Sequence, residues 1–209
     1  MLRRTWLTTA VLAAAVLGAG TARANGVAPD EFVKKLSAEV MDTAKSDKSI
    51  LNGDIGRIRS LVDDKVMPHV NFERMTAMSV GPQWRGASAD QKKRMLVEFK
   101  TLMINTYSGA LTQVKDQSVV VKPLRPGQAE LSELVVRSEV RGKGDPIQLD
   151  YRLEKAGEGW KIYDVNVGGF WLVEAYKGQF AKDLSAGGMD ALITRLAEKN
   201  KSLASAPKN

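Results

Sequence analysis

The sequence predicts a single α+β domain made of N-terminal helices, a curved four-stranded antiparallel meander and closing C-terminal helices. Three observations point to it. Apolar residues recur at three- and four-residue steps from Phe32 to Leu111. From Val119 to Val167 the period falls to two, and after Gly168 and Gly169 it returns to the helical value. No internal repeat and no low-complexity linker divides the chain.

Taken in order, Pro29 with Asp30 and Glu31 opens a first helix, the proline in its first turn and the acids beside its positive end. Its apolar face carries Phe32, Val33, Leu36, Val40, Met41 and Ala44. A second helix starts near Asp54, with Ile55, Ile58, Leu61, Val62, Val66 and Met67 on one stripe, and Pro68 stops it. Asn71 caps a short third helix bearing Phe72, Met75 and Met78, which ends at Gly81-Pro82. Ser88 and Gln91 form a capping box at the head of the longest helix. Its stripe (Met95, Leu96, Phe99, Leu102, Met103, Tyr107, Leu111) persists for about two dozen residues, or ~36 Å.

A short strand then covers Val119 to Lys122. Leu134, Val136, Ser138 and Val140 alternate against charged neighbours, as do Ile147, Leu149, Tyr151 and Leu153, and short turns join these runs. In the last strand, from Trp160, the inner face is less clean. Placing Tyr163, Val165 and Val167 inward keeps Asp164 out of the apolar layer. The stretch Trp160 to Phe180 holds half of the chain's Trp and Tyr residues and should wall any core or cavity. The closing helices carry Leu172, Val173, Tyr176, Phe180 and Leu184, then, beyond Gly187-Gly188, Met189, Leu192, Ile193 and Leu196. Residues 201–209 read as a disordered polar tail.

Arg3 and Arg4, an apolar run from Trp6 to Ala19, and Ala22-Arg23-Ala24 read as a secretory signal peptide over residues 1–24, cleaved after Ala24. One domain over 25–200 is then expected, exported and without a membrane span. There is no cysteine, so neither a disulfide nor a lipid-modified N-terminus is expected. Loss of Arg3, Arg4 and Arg23 lowers the charge excess from +7 to +4. Such a mild excess, scattered among many carboxylates, lacks the basic stripe that nucleic acid requires.

No nucleophile elbow, phosphate loop, dinucleotide fingerprint or zinc-protease motif occurs. His69 is the only histidine, so a metal site would lack its usual companions. Asp164 could serve as a general base with Tyr151 or Tyr107 in a cone-shaped hydrolase or isomerase; paired with a nearby Lys or Arg, it is structural instead. Met75, Met78, Met95 and Met103 lie close together in the helical half and suit a container for an apolar guest.

Three blocks carry a resemblance. The first is Pro68-His69-Val70-Asn71-Phe72, with Val80-Gly81, Trp84-Arg85, Ser88, Gln91, Phe99 and Tyr107. The second is Trp160-Lys161, Tyr163-Asp164-Val165, Gly169, Leu172, Tyr176 and Phe180. The third is Gly188-Met189-Asp190 with Leu192 and Leu196. Together they resemble the toluene-tolerance family, which includes the periplasmic phospholipid carrier of the Mla (maintenance of lipid asymmetry) system. The chain departs from that pattern at Asn71, where an acid is expected, and at Gly168, Phe170 and Trp171, which replace smaller or more polar residues.

The resemblance implies a non-enzymatic periplasmic carrier that encloses the acyl chains of one phospholipid and needs no cofactor or metal. It implies shuttling between an outer-membrane lipoprotein-porin complex and an inner-membrane ABC transporter with its lipid-binding partner domain. On this reading the cavity is lined by Met75, Met78, Leu102, Met103, Tyr107 and Leu111 from the helices, and by Leu134, Val136, Leu149, Tyr151, Tyr163 and Val165 from the sheet. Phe170, Leu172 and Val173 would form its rim, and Arg85 and Lys92 are candidates for the phosphate.

Overall fold

The computed structural model describes residues 26–205; the expected signal peptide and the last four positions of the expected tail lie outside the described residues. Helix α1 (Pro29–Ser46) begins as read, with Pro29 in its first turn and Asp30 and Glu31 beside its positive end. Asp47 accepts the Ser49 and Ile50 N–H groups and caps α2 (Lys48–Leu51). Asp54 does the same for Gly56 and Arg57 at the head of α3 (Ile55–Leu61). The backbone then widens into a π-helical turn over Val62–Val66 and tightens over Met67–His69, where it stops.

Asn71 caps α4 (Phe72–Val80) by accepting the Arg74 N–H, and α5 (Gln83–Gly86) is a single turn. Helix α6 (Ala89–Thr112) opens on the reciprocal box: the Gln91 N–H donates to Ser88 Oγ at 3.2 Å and the Ser88 N–H to Gln91 Oε1 at 3.0 Å. Ser88→Ala removes one of these bonds from an exposed helix end. The expected loss is about 1 kcal/mol of stability, read as a lower urea midpoint with an unchanged slope.

The strands are β1 (Ser118–Val121), β2 (Glu133–Val136), β3 (Ser138–Arg141), β4 (Ile147–Ala156), β5 (Gly159–Val167) and β6 (Phe170–Trp171). The six strands pair antiparallel, in the order β1-β3-β4-β5-β6, with β2 also on β4, and an isolated parallel bridge joins Val70 to Ile162. The meander of four is therefore present in a more elaborate form. Its second strand is split because the Ser138 N–H donates to the Asp150 carboxylate (2.9 Å) and leaves the ladder. The register survives the gap, with Val136 opposite Tyr151 and Glu139 opposite Gln148. The added β6 folds back on β5 through Gly168 (φ +59°) and Gly169 (φ +96°), in a region of backbone space that favours glycine.

The ambiguity in the Trp160 strand has a physical origin. Leu153 pairs with Ile162 but Arg152 pairs with Asp164, so Tyr163 is an extra residue, a β-bulge. Trp160 and Ile162 before it and Val165 and Val167 after it therefore all share the face of Leu153, Tyr151 and Leu149. Tyr163 lies on the other side, contrary to the expectation that placed it inward. Its ring lies under the Arg74 guanidinium (3.8 Å to the centroid) and its hydroxyl donates to Glu133 (3.0 Å). Arg74 also pairs with Glu133 and Glu154, which fastens α4 to the outer face of the sheet.

Among the described residues, three apolar clusters form the core. Helix α1 lays Val33 and Leu36 on the inner sheet face against Leu134, Val136, Leu153, Trp160 and Ile162. Ala44, Ile50, Ile58, Leu61, Ile104 and Val114 close the far end of the helical layer. Helices α4, α6 and α7 (Leu172–Ser205) pack around Phe99, whose ring meets those of Phe72, Tyr176 and Phe180 at 5.5, 4.9 and 5.3 Å. Helix α7 kinks at Gly187-Gly188, where Gly188 adopts φ +66°, as the paired glycines suggested. It continues to Ser205, so residues 201–205 of the expected tail are helical.

Candidate functional site

The inner face of the sheet is longer than its cover. Helix α1 shields the half built from Leu134, Val136, Leu153, Trp160 and Ile162, and the other half fronts an apolar cleft of about 660 Å³. The sheet contributes Val140, Ile147, Leu149, Val165 and Val167. The facing wall is Ile58, Val62 and Val66, spaced four apart along α3 and the π-helical turn so that they share one side. Helix α6 supplies Met103, Ile104, Tyr107, Ser108, Ala110 and Leu111, while Gln113, Gln117 and Leu172 complete the lining. None of these residues is charged. The only polar groups are a hydroxyl or two and the glutamine amides, which suits a long apolar guest with one polar end.

Of the fifteen residues expected at the cavity, the fold brings six together at this cleft: Met103, Tyr107, Leu111, Leu149, Val165 and Leu172. Met75, Leu102 and Val173 are instead buried in the cluster around Phe99, with Met78 against it. Leu134 and Val136 lie beneath α1. Tyr151 packs at the margin of that cluster, where burial pushes its hydroxyl pKa up although Ser37 and Ser138 bond to it. Tyr163 is on the outer face, and Phe170 stands 73% exposed at the β5–β6 hairpin. Arg85 and Lys92 are not among the lining residues either. Lys92 lies near the Trp84 ring, and Met103 begins the lining about 16 Å further along α6.

Sequence reading passed over the wall of Ile58, Val62 and Val66, although their stripe was visible in it. It also passed over Val140, Ile147 and Val167, which share a face with residues it chose. Tyr107, which lines the cleft, meets Tyr176 behind it. Burial pushes the Tyr176 hydroxyl pKa up to about 12, with Tyr107 adding to the shift.

Asp164 is fully buried on the opposite face. Its Oδ1 accepts the N–H groups of Val165 (2.9 Å) and Val173 (3.0 Å), and its Oδ2 accepts from Arg152 (2.8 Å). Arg152 in turn lies 4.1 Å over the Trp171 ring. Burial pushes the Asp164 carboxyl pKa up, against the pull of these donors. The residue ties β5 to the first turn of α7, and it does not face the cleft.

These features define an α+β domain built around an apolar cleft between its helical layer and its sheet. Residues 34–198 match the family model described as MlaC protein. The chain belongs to that family. It is 24% identical over 173 residues to the intermembrane phospholipid transport system binding protein MlaC of Haemophilus influenzae, covering 81% of each chain. It is 22% identical over 164 residues to toluene tolerance protein ttg2D of Pseudomonas putida, covering 78% of this chain and 75% of that one. Among solved structures, a phospholipid-binding protein from Ralstonia solanacearum in complex with a phospholipid is 40% identical with a TM-score of 0.82. The match covers 86% of this chain and all of that one.

Proposed function

We propose that the protein is a periplasmic phospholipid carrier, exported by its N-terminal signal, that holds the acyl chains of a phospholipid in the cleft and works without catalysis. It moves between an outer-membrane lipoprotein-porin complex and an inner-membrane ABC transporter with its lipid-binding partner domain, and so helps to maintain outer-membrane lipid asymmetry. The observation that carries the reading is the uncharged lining of the 660 Å³ cleft. A relative with the same fold, solved with a phospholipid, supports it.

The energetics are consistent. Two acyl chains of about 28 methylenes in all, at ~0.8 kcal/mol each, would cost on the order of 20 kcal/mol to carry bare through water. No helix among the described residues is long and apolar enough to cross a membrane, and the apolar cleft is the shelter the fold offers to such chains. The catalytic alternative finds no support, because Asp164 is turned away from the cleft with both oxygens engaged. Solvent extraction of the purified protein followed by mass spectrometry should recover a diacyl phospholipid in near-stoichiometric amount. Recovery of a small polar metabolite, or of nothing, would overturn the proposal.

A further inference from the structure

A second opening, of about 550 Å³, lies on the outer face at the same end of the sheet. Gln148 and Trp171 border it, while their chain neighbours Ile147, Leu149 and Leu172 border the apolar cleft, so one thickness of sheet separates the two. Lys122 and Glu139 are at its edge but already engaged: Glu139 pairs with Lys122 at 3.4 Å and with Arg141 at 2.5 Å.

Two opposite charges in the pocket, neighbours across the sheet, form no ion pair among the described residues. Asp150 is only 5% exposed, and its oxygens accept from neutral donors, the Ser138 N–H (2.9 Å) and the Gln148 amide (2.6 Å). A buried carboxylate without a cation is costly. Arg137 lies in line with Asp150 in the register, since Val136 faces Tyr151 and Glu139 faces Gln148. Even so, among the described residues Arg137 has no ion-pair partner. The Trp171 ring, with Arg152 stacked on it, adds an aromatic wall. A simple anion would meet Asp150 here, and a simple cation would meet Arg137.

We infer that this pocket binds an ammonium-phosphate zwitterion, the ammonium group against Asp150 and the phosphate against Arg137. The ethanolamine head group of a phospholipid and free phosphoethanolamine share this chemistry. The lipid source rests on the carrier reading and requires the head group to reach round the edge of the sheet from the cleft, whereas the soluble source needs neither.

Two measurements test the inference. In the first, phosphoethanolamine is titrated into the purified protein and followed by the amide resonances of Ser138, Gln148 and Trp171. Saturable shifts at millimolar concentration are expected, with affinity reduced by about tenfold or more in Arg137→Gln and in Asp150→Asn. Ethanolamine alone and phosphate alone should bind more weakly than the zwitterion. Arg137 is exposed, so its variant tests the site even if Asp150→Asn fails to fold.

In the second, the protein is loaded from vesicles of equal ethanolamine and glycerol phospholipids. Arg137→Gln should keep the total lipid but lose any excess of the ethanolamine form. A change in ratio assigns the pocket to the lipid head group, and titration without a ratio change assigns it to a soluble zwitterion. No saturable shift and no change in ratio would overturn the inference, as would equal binding by both variants. If no lipid loads at all, the carrier reading fails while the titration still reports on the pocket.

Discussion

Leu149→Glu is expected to leave a folded protein that no longer retains lipid. Leu149 is half-buried on the inner sheet face, where it lines the cleft beside Val165 and Val167. A carboxylate there must either stay ionised against an acyl chain or be neutralised at a cost. Either way the penalty is at least ~3 kcal/mol, more than a hundredfold in affinity. Leu131→Glu makes the same chemical change at a residue that is 49% exposed and absent from the lining, and it should load normally. The measurement is the phospholipid-to-protein ratio after gel filtration, with circular dichroism as the check on folding. A normal ratio in Leu149→Glu would mean that the chains lie elsewhere.

The largest loss of stability is expected from Asp164→Ala. The change removes a buried acceptor shared by the Val165 and Val173 N–H groups and leaves Arg152, whose side chain is 27% exposed, without its partner. Stranding such groups costs about 3–5 kcal/mol, measurable by chemical denaturation. Asp164→Asn should cost much less, because an amide oxygen still accepts both N–H groups and no charge has to be desolvated. The sign of the pH effect follows from burial, which raises the carboxyl pKa in the folded state above its unfolded value. The group's stabilising contribution is then full below the unfolded value and is lost as pH rises through the folded one. Wild-type stability relative to Asp164→Asn should therefore decline as pH rises through that window. A difference independent of pH would contradict it.

Features that depend on near neighbours in the chain were legible in the sequence. The Ser88–Gln91 box, the Asn71 cap, Pro29 in the first turn and the Gly187-Gly188 break each depend on residues within a few positions of one another. The apolar faces were legible too, but not what lies behind them. Leu102 and Met103 are adjacent on α6, yet one is in the core beside Phe99 and the other in the cleft, a distinction set by the placing of α4 and α7. The cleft exists because α1 covers half a sheet face and leaves the other half open, and no local pattern encodes that coverage. Asp150 read as a polar residue of an alternating strand. That its oxygens take neutral donors, the Ser138 N–H and the Gln148 amide, appears only once Ser138 has left the ladder.

The extra residue at Tyr163 corrects the parity of β5. Were the bulge ironed out with every residue kept, strict alternation would carry Val165 and Val167 round to the water side and thrust Asp164 and Asn166 among hydrocarbon. Deleting Tyr163 itself would leave a plain strand with both sides occupied as now. As far as parity goes, this segment should therefore accept the loss of that one position more readily than the gain of another, a counting rule imposed by the pleat and independent of which side chains occupy it.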